Sequence, residues 1–256
     1  MLRAGYPEFA KLLERLSPDY RAFVIDAFTV SHAPYSRKGL DLFCGTFPPD
    51  ECEGVKSAVG KDLDEYPQLY YDNRFGLSYN FPETVAQLGL SPPDLEDLAK
   101  VVELLYKSNI SLLDALFGEV VDAIDQSGLL EESLIVFTAD HGEVLYRENA
   151  LCKWTHGHAL APKVLNVPLL IRAPSLGVVS GRYERVTRSI DVFPTTAALA
   201  DVPLPEDVTV AGADPAPANS AQWLSLGLRT ADFLCGPASD SGVFMLCVVP
   251  RSLLLD

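Results

Sequence analysis

Most of the chemistry this sequence can offer sits in four histidines, and they fall in two neighbourhoods. His32 stands in Ser31-His32-Ala33-Pro34-Tyr35, directly after an apolar run. His141 closes a second apolar run in Asp140-His141-Gly142-Glu143. His156 and His158 lie just beyond, in Lys153-Trp154-Thr155-His156-Gly157-His158. Asp140 beside His141 puts one oxygen and one nitrogen donor on adjacent residues, a pairing that suits a divalent cation. The same pair could instead cap a helix starting near Glu143. Gly142 lets the backbone bend sharply at that point. Lys153, His156 and His158 can hold an anionic oxygen or protonate a leaving group. The blander alternative is a solvated loop in which only one of the three matters.

The elements that must position these groups read as strands and helices in alternation. Residues 1–20 read as a short amphipathic helix ending near Ser17-Pro18, with Arg3, Glu8, Lys11, Glu14 and Arg15 among apolar residues. AFVIDAFTV at 22–30 and LIVFTA at 134–139 are nearly uninterrupted apolar runs, the pattern of buried strands. VPLLIRA at 167–173 reads the same way, whereas beyond Asp207 the pattern fades into Pro, Ala and Gly with one last apolar run, VFMLCVV at 243–249. Between Ser31 and Pro93, seven prolines predict an irregular region with no long element, of the kind that surrounds a site. From Asp94 to Gln126, Leu98, Val102, Leu105, Leu112, Leu116, Val120 and Ile124 recur at three- and four-residue steps, which predicts a helix stopped by Gly128. Asp191 is the expected N-cap region of a further short helix ending near Val202-Pro203. Strand–helix–strand alternation with buried strands argues an α/β domain with a largely parallel sheet. In open sheets of that kind ligands bind beyond the carboxyl ends of strands, which is where the histidines fall.

Composition narrows the partners. The 256 residues carry 20 Lys and Arg against 35 Asp and Glu, a formal net charge of −15. A chain this acidic repels phosphate backbones and anionic lipid, so neither nucleic acid nor a membrane surface is an expected partner. With 48% apolar residues it can bury a sizeable core, and no apolar run approaches the ~20 residues of a membrane span. No signal-peptide core is visible, which makes the cytoplasm the default location. The five cysteines, Cys44, Cys52, Cys152, Cys235 and Cys247, show no metal-ligand or disulfide spacing and read as free thiols.

LIVFTADHGE, HGHALAPKVLNVPLLIRAP and SIDVFPTTAALADVPLP, in that order, resemble three blocks of the sulfatase family in the alkaline-phosphatase-like superfamily. Upstream, AFVIDAFTVSHAPYS is similar to that family's strand ending in a His-x-Pro-Tyr turn, and Tyr106 to Asp114 matches a helical segment. The matched blocks run from about residue 20 to 210. The resemblance implies a three-layer α/β domain over 1–210, with a central, largely parallel sheet flanked by helices and incomplete at its N-terminal side, and a divergent tail over 211–256. It also implies hydrolysis of sulfate esters, with a small anionic ester as substrate. Asp140 and His141 match ligands of a divalent cation, usually calcium, with magnesium or manganese as alternatives. His32 matches a histidine contacting the sulfate or leaving oxygen. His156 and His158 match the family's anion-contacting position, with the register between them open, and Lys153 is a further candidate for that role. Asp114, Asp191 and Pro194 match architectural positions.

Departures from the pattern are as informative. The sequence contains no paired-aspartate strand and no Cys/Ser-x-Pro-Ser/Ala-Arg motif, the family's source of the formylglycine nucleophile. Cys235-Gly236-Pro237-Ala238-Ser239 imitates that motif but ends in Ser239 where Arg is required. The expectation is therefore a truncated or inactive sulfatase-type domain, prone to self-association through uncovered sheet edges. Alternatives are a phosphate or phosphonate ester hydrolase or phosphoryl transferase of the same superfamily, and a non-catalytic anion-binding or docking module.

Overall fold

A computed structural model of the chain describes residues 22–28, 30–33, 35, 37–46, 52–53, 65–146, 153–154, 156, 160–178, 180–182, 187–200 and 243–249, together with Lys11. The helix expected over 1–20, the loop residue His158 and the Cys235 motif lie outside the described residues. Ten elements carry the fold: β1 (Ala22–Phe28), α1 (Leu40–Thr46), α2 (Glu65–Tyr79), α3 (Phe81–Leu88), α4 (Pro92–Gln126), β2 (Leu134–Ala139), α5 (Pro162–Leu165), β3 (Leu169–Arg172), α6 (Val192–Leu199) and β4 (Val243–Val249). None of the described helices is long and apolar enough to cross a membrane.

The long helix forms where its apolar spacing predicts it, two residues earlier at its start. Ser91 is the N-cap, and Asp94 returns the bond in a capping box, accepting from the Ser91 backbone N–H at 2.8 Å. Donation from the Ser91 hydroxyl, and second from its backbone N–H, holds the Asp94 carboxyl below its ordinary pKa. At the other end Gly128 takes a left-handed φ of 75°, a conformation that costs glycine nothing. The region before it departs from expectation. Residues 65–88 are two helices, not an irregular stretch, because Pro67, Pro82, Pro92 and Pro93 all fall in first helical turns. There the missing N–H would have had no partner inside the helix, so proline starts these helices and breaks none of them.

The strands form one sheet in the order β1-β4-β2-β3. Every hydrogen-bonded pair among the described strands is antiparallel. The expectation of a largely parallel sheet is corrected on this point. β1 and β2 do run in the same direction, but β4, from the segment read as a tail, lies between them and opposes both. Because β1 and β2 share a direction, the turns after both open at the same end of the sheet.

β2 has a helix against each face, following the two-residue side-chain period of a strand. Ile135, Phe137 and Ala139 pack against Leu113, Val120 and Ile124 of α4, with Phe117 and Phe137 rings 4.8 Å apart. Leu134 and Val136 pack on the other side with Ala173, Ala200, and Leu199 of α6. Asp191 does not cap α6 with its side chain. Its buried carboxylate instead receives both Nε and an Nη of Arg188, at 2.7 and 2.8 Å, a bidentate pairing that satisfies the charge.

The reading of free thiols also fails for one pair. Cys44 and Cys52 are disulfide-bonded, with Cα atoms 5.6 Å apart. The chain folds back after α1 so that Cys52 is buried beside Leu40, Phe43 and Leu104. Spacing along a sequence does not report such a reversal.

Candidate functional site

Three of the four histidines come together from three separate segments. His32 is delivered by the turn after β1, His141 by the turn after β2, and His156 by the loop beyond it. The His141 and His156 rings stack with centroids 3.9 Å apart, and the His32 ring meets His156 edge-on at 6.0 Å. His32 and His141 thus both meet the ring of His156. Their common location follows from the shared direction of β1 and β2.

Each imidazole spends Nδ1 on a local acceptor. His32 Nδ1 is bonded to the Ala33 carbonyl, and His141 Nδ1 to the Gly142 carbonyl at 2.8 Å. A carbonyl only accepts, so in both rings Nδ1 carries the hydrogen. His156 Nδ1 lies 3.2 Å from Glu143 Oε2. Nε2 is left as the ring nitrogen for a ligand in His32 and His156: a lone pair in the neutral ring, which suits a metal, and an N–H donor in the protonated ring, which suits a small anion.

Asp140 is tied into the turn: its Oδ1 accepts the His141 backbone N–H at 2.8 Å, and its Oδ2 stands 3.7 Å from His141 Nε2. The helix weighed as an alternative at Glu143 does not form. Instead Gly142 donates its N–H to the Val164 carbonyl at 2.7 Å, pinning the turn to α5. Asp140 and His141 are two adjacent donors, but among the described residues no group of three His, Cys, Asp or Glu is placed to hold a metal ion. Two donors from one turn supply only part of the shell of a hard divalent cation, which takes six or more ligands.

Lys153 is placed differently from the histidines. Its ammonium lies over the Phe81 ring at 4.7 Å and near the Tyr146 ring at 5.9 Å. The neighbouring Trp154 is buried with Tyr70, Phe81 and Tyr146 around it. Trp154 takes a left-handed φ of 49°, and its carbonyl accepts from Ser78 Oγ of α2 at 2.7 Å. That buried ring anchors the loop from which His156 projects two residues later.

Glu143 was legible only as the residue after the Asp-His-Gly turn, yet it holds the centre of the site. Its hydrogen bond to His156 is the largest cause raising the His156 pKa above its ordinary value. Burial opposes the shift, and the charges of Glu143 and Asp140 add to it. A raised folded pKa means the pair contributes fully below the unfolded value, about 6.5, and is lost as pH rises through the folded value. The unfolding free energy from urea titrations should therefore fall as pH rises above about 6.5. In Glu143→Gln that fall should shrink; an equal fall in both proteins would mean the pair does not contribute.

Comparison with known proteins gives a consistent picture. A family model described as Sulfatase matches residues 7–202. The chain is 32% identical over 186 residues to a choline-sulfatase of Rhizobium meliloti (strain 1021), covering 70% of this chain and 31% of that protein. It is 25% identical over 188 residues to a steryl-sulfatase of Rattus norvegicus, covering 67% and 31%. With human arylsulfatase A it shares 37% identity over 111 residues, covering 41% and 21%. The chain thus spans between about a fifth and a third of the length of these curated relatives. No solved structure matches.

Proposed function

The chain belongs to the sulfatase family, and from that premise we propose that it forms the anion-holding side of a sulfate-ester hydrolase site. The observation that carries this reading is the meeting of His32, His141 and His156 with all three Nδ1 atoms already engaged. In the proposed role, Nε2–H of a protonated His156 donates to a sulfate oxygen with His32 beside it, and His158 and Lys153 are the further anion contacts that the family pattern names. A protonated imidazole there would neutralise charge on the ester and supply a proton to the leaving oxygen.

Sulfatases generally use a divalent cation. Asp140 and His141 are the donors this chain would contribute, calcium being the expected ion. Since two donors do not complete its shell, no step is assigned to it. The sequence holds neither paired aspartates nor a Cys/Ser-x-Pro-x-Arg motif. A fixed nucleophile is required for attack at sulfur, so the 256 residues alone should release no sulfate from an aryl sulfate, with or without calcium.

Anion holding is testable without turnover. Unfolding midpoints measured against sodium sulfate, at ionic strength matched with sodium chloride, should rise and saturate, as expected for a ligand bound only by the folded state. His32→Ala and His156→Ala should each remove the saturable part and leave any general salting effect. A parallel phosphate series decides between sulfate and phosphate as the preferred anion. Midpoints that rise linearly, or equally in both variants, would overturn the reading and leave a docking module as the better account. Steady sulfate release abolished by Asp140→Ala would overturn the inactivity.

A further inference from the structure

Among the buried polar atoms of the described residues that have no hydrogen-bond partner are Oε1 of Glu143 and the hydroxyl of Tyr35. They belong to neighbouring groups. Tyr35 is 6% exposed, between the rings of Tyr70, stacked at 6.0 Å, and Tyr106, edge-on at 5.4 Å. Burial foremost, then the nearby Glu143 charge, raises the phenol's pKa well above its ordinary value. Tyr35 is therefore a proton donor that keeps its proton, set within reach of a carboxylate oxygen that lacks a donor. A buried carboxylate left half-satisfied is costly unless something holds it.

We infer that Glu143, bonded by one oxygen to His156 Nδ1 and with the Tyr35 phenol near the other, is a positioning residue that keeps Nδ1 engaged, so that Nε2 is the nitrogen that donates to the anion once the ring is protonated. The inference deepens the proposed function and rests on it for the role of His156; the geometry itself stands without it. An ionised carboxylate only accepts, so it selects the Nδ1–H form of the neutral imidazole and holds the ring in one orientation. An amide in its place can donate as well as accept, and selects neither form. Tyr35 comes from the turn that carries His32, three residues further on, so the segment that brings one histidine also braces the support of another.

The experiment reads the tautomer directly. Long-range proton–nitrogen correlation spectra of the full chain, with histidine labelled with nitrogen-15, are recorded at a pH where His156 is neutral. In the wild type the His156 Nδ1 should show the shift of a protonated ring nitrogen and Nε2 that of an unprotonated one. Glu143→Gln should move both shifts toward the averaged values of mixed tautomers. Tyr35→Phe should move them the same way by less, and it leaves both partners of the Glu143–His156 bond in place if Glu143→Gln folds poorly. A wild-type His156 protonated at Nε2, or shifts unchanged in both variants, would overturn the inference. Because the readout needs neither turnover nor sulfate, expected tautomers alongside absent sulfate protection would reject only the proposed function.

Discussion

Gly142→Ala should destabilise the chain by about 2–4 kcal/mol and remove saturable sulfate protection. A Cβ at residue 142 would stand 2.0 Å from the Lys163 carbonyl oxygen and 3.1 Å from its carbon. Both are backbone atoms, so no side-chain rotation relieves the overlap. Either α5 or the turn after β2 must move, at roughly 1–3 kcal/mol for an overpacked site. Movement also stretches the 2.7 Å bond from Gly142 N–H to Val164, a loss of roughly 1 kcal/mol. The Gly142 carbonyl is what holds His141 Nδ1, so the displaced turn carries His141 away from His156. Gly45→Ala is the control: nothing lies within 4 Å of a Cβ there, and in α1 an alanine should be neutral or slightly stabilising. Urea titrations of the two variants give the comparison. A Gly142→Ala protein as stable as the wild type would mean that the close approach to α5 does not exist.

Leu98→Ala should cost about 3 kcal/mol and lower the melting midpoint by roughly 6–12 °C for a domain of this size. Leu98 is 0% exposed and packs among Tyr35, Tyr70, Leu77, Val101 and Trp154. Removing its branch leaves a void that these rings cannot fill without moving. Tyr35 and Trp154 are the packed sides of the histidine site, so sulfate protection should weaken too, although Leu98 touches no candidate ligand. Leu170→Ala on β3 removes the same atoms from a side chain that is 58% exposed, and should stay within about 0.5 kcal/mol of wild type. Equal losses from both substitutions would show that the aromatic cluster is not a packed core.

The parts of the fold written in local pattern were legible. Apolar spacing and Gly128 delimited α4, and an unbroken apolar run delimited β2, whereas the run that forms β4 was read only as part of a tail. Misreading residues 65–88 came from counting prolines without asking where in a turn each would fall. The sheet order was beyond reach for a different reason: pairing of β4 with β1 and β2 is decided by partners far apart in sequence, which no local window contains. In the site, histidine was scarce enough for its positions to matter, and two stand at strand ends, His32 and His141, whose rings both meet that of His156. Glu143 and Tyr35 stood in plain view beside them. Acid and phenol are common residues, and their burial side by side depends on α2 and α4 closing over the turns.

The placement of β4 also governs the order in which this protein can assemble. Ile135 of β2 pairs with Arg172 of β3, a separation of 172 − 135 = 37 residues. Ala22 of β1 pairs with Val249 of β4, a separation of 249 − 22 = 227 residues. On an ideal-chain estimate, closing the longer loop costs about 1.6 kcal/mol more entropy. The β2–β3 pair and its helices can therefore form early, whereas β1 has no described partner until β4 arrives. His141 sits on the early part and His32 on the part that waits. Searches for such distant partners slow folding, so this site should be among the last features to appear as the chain refolds.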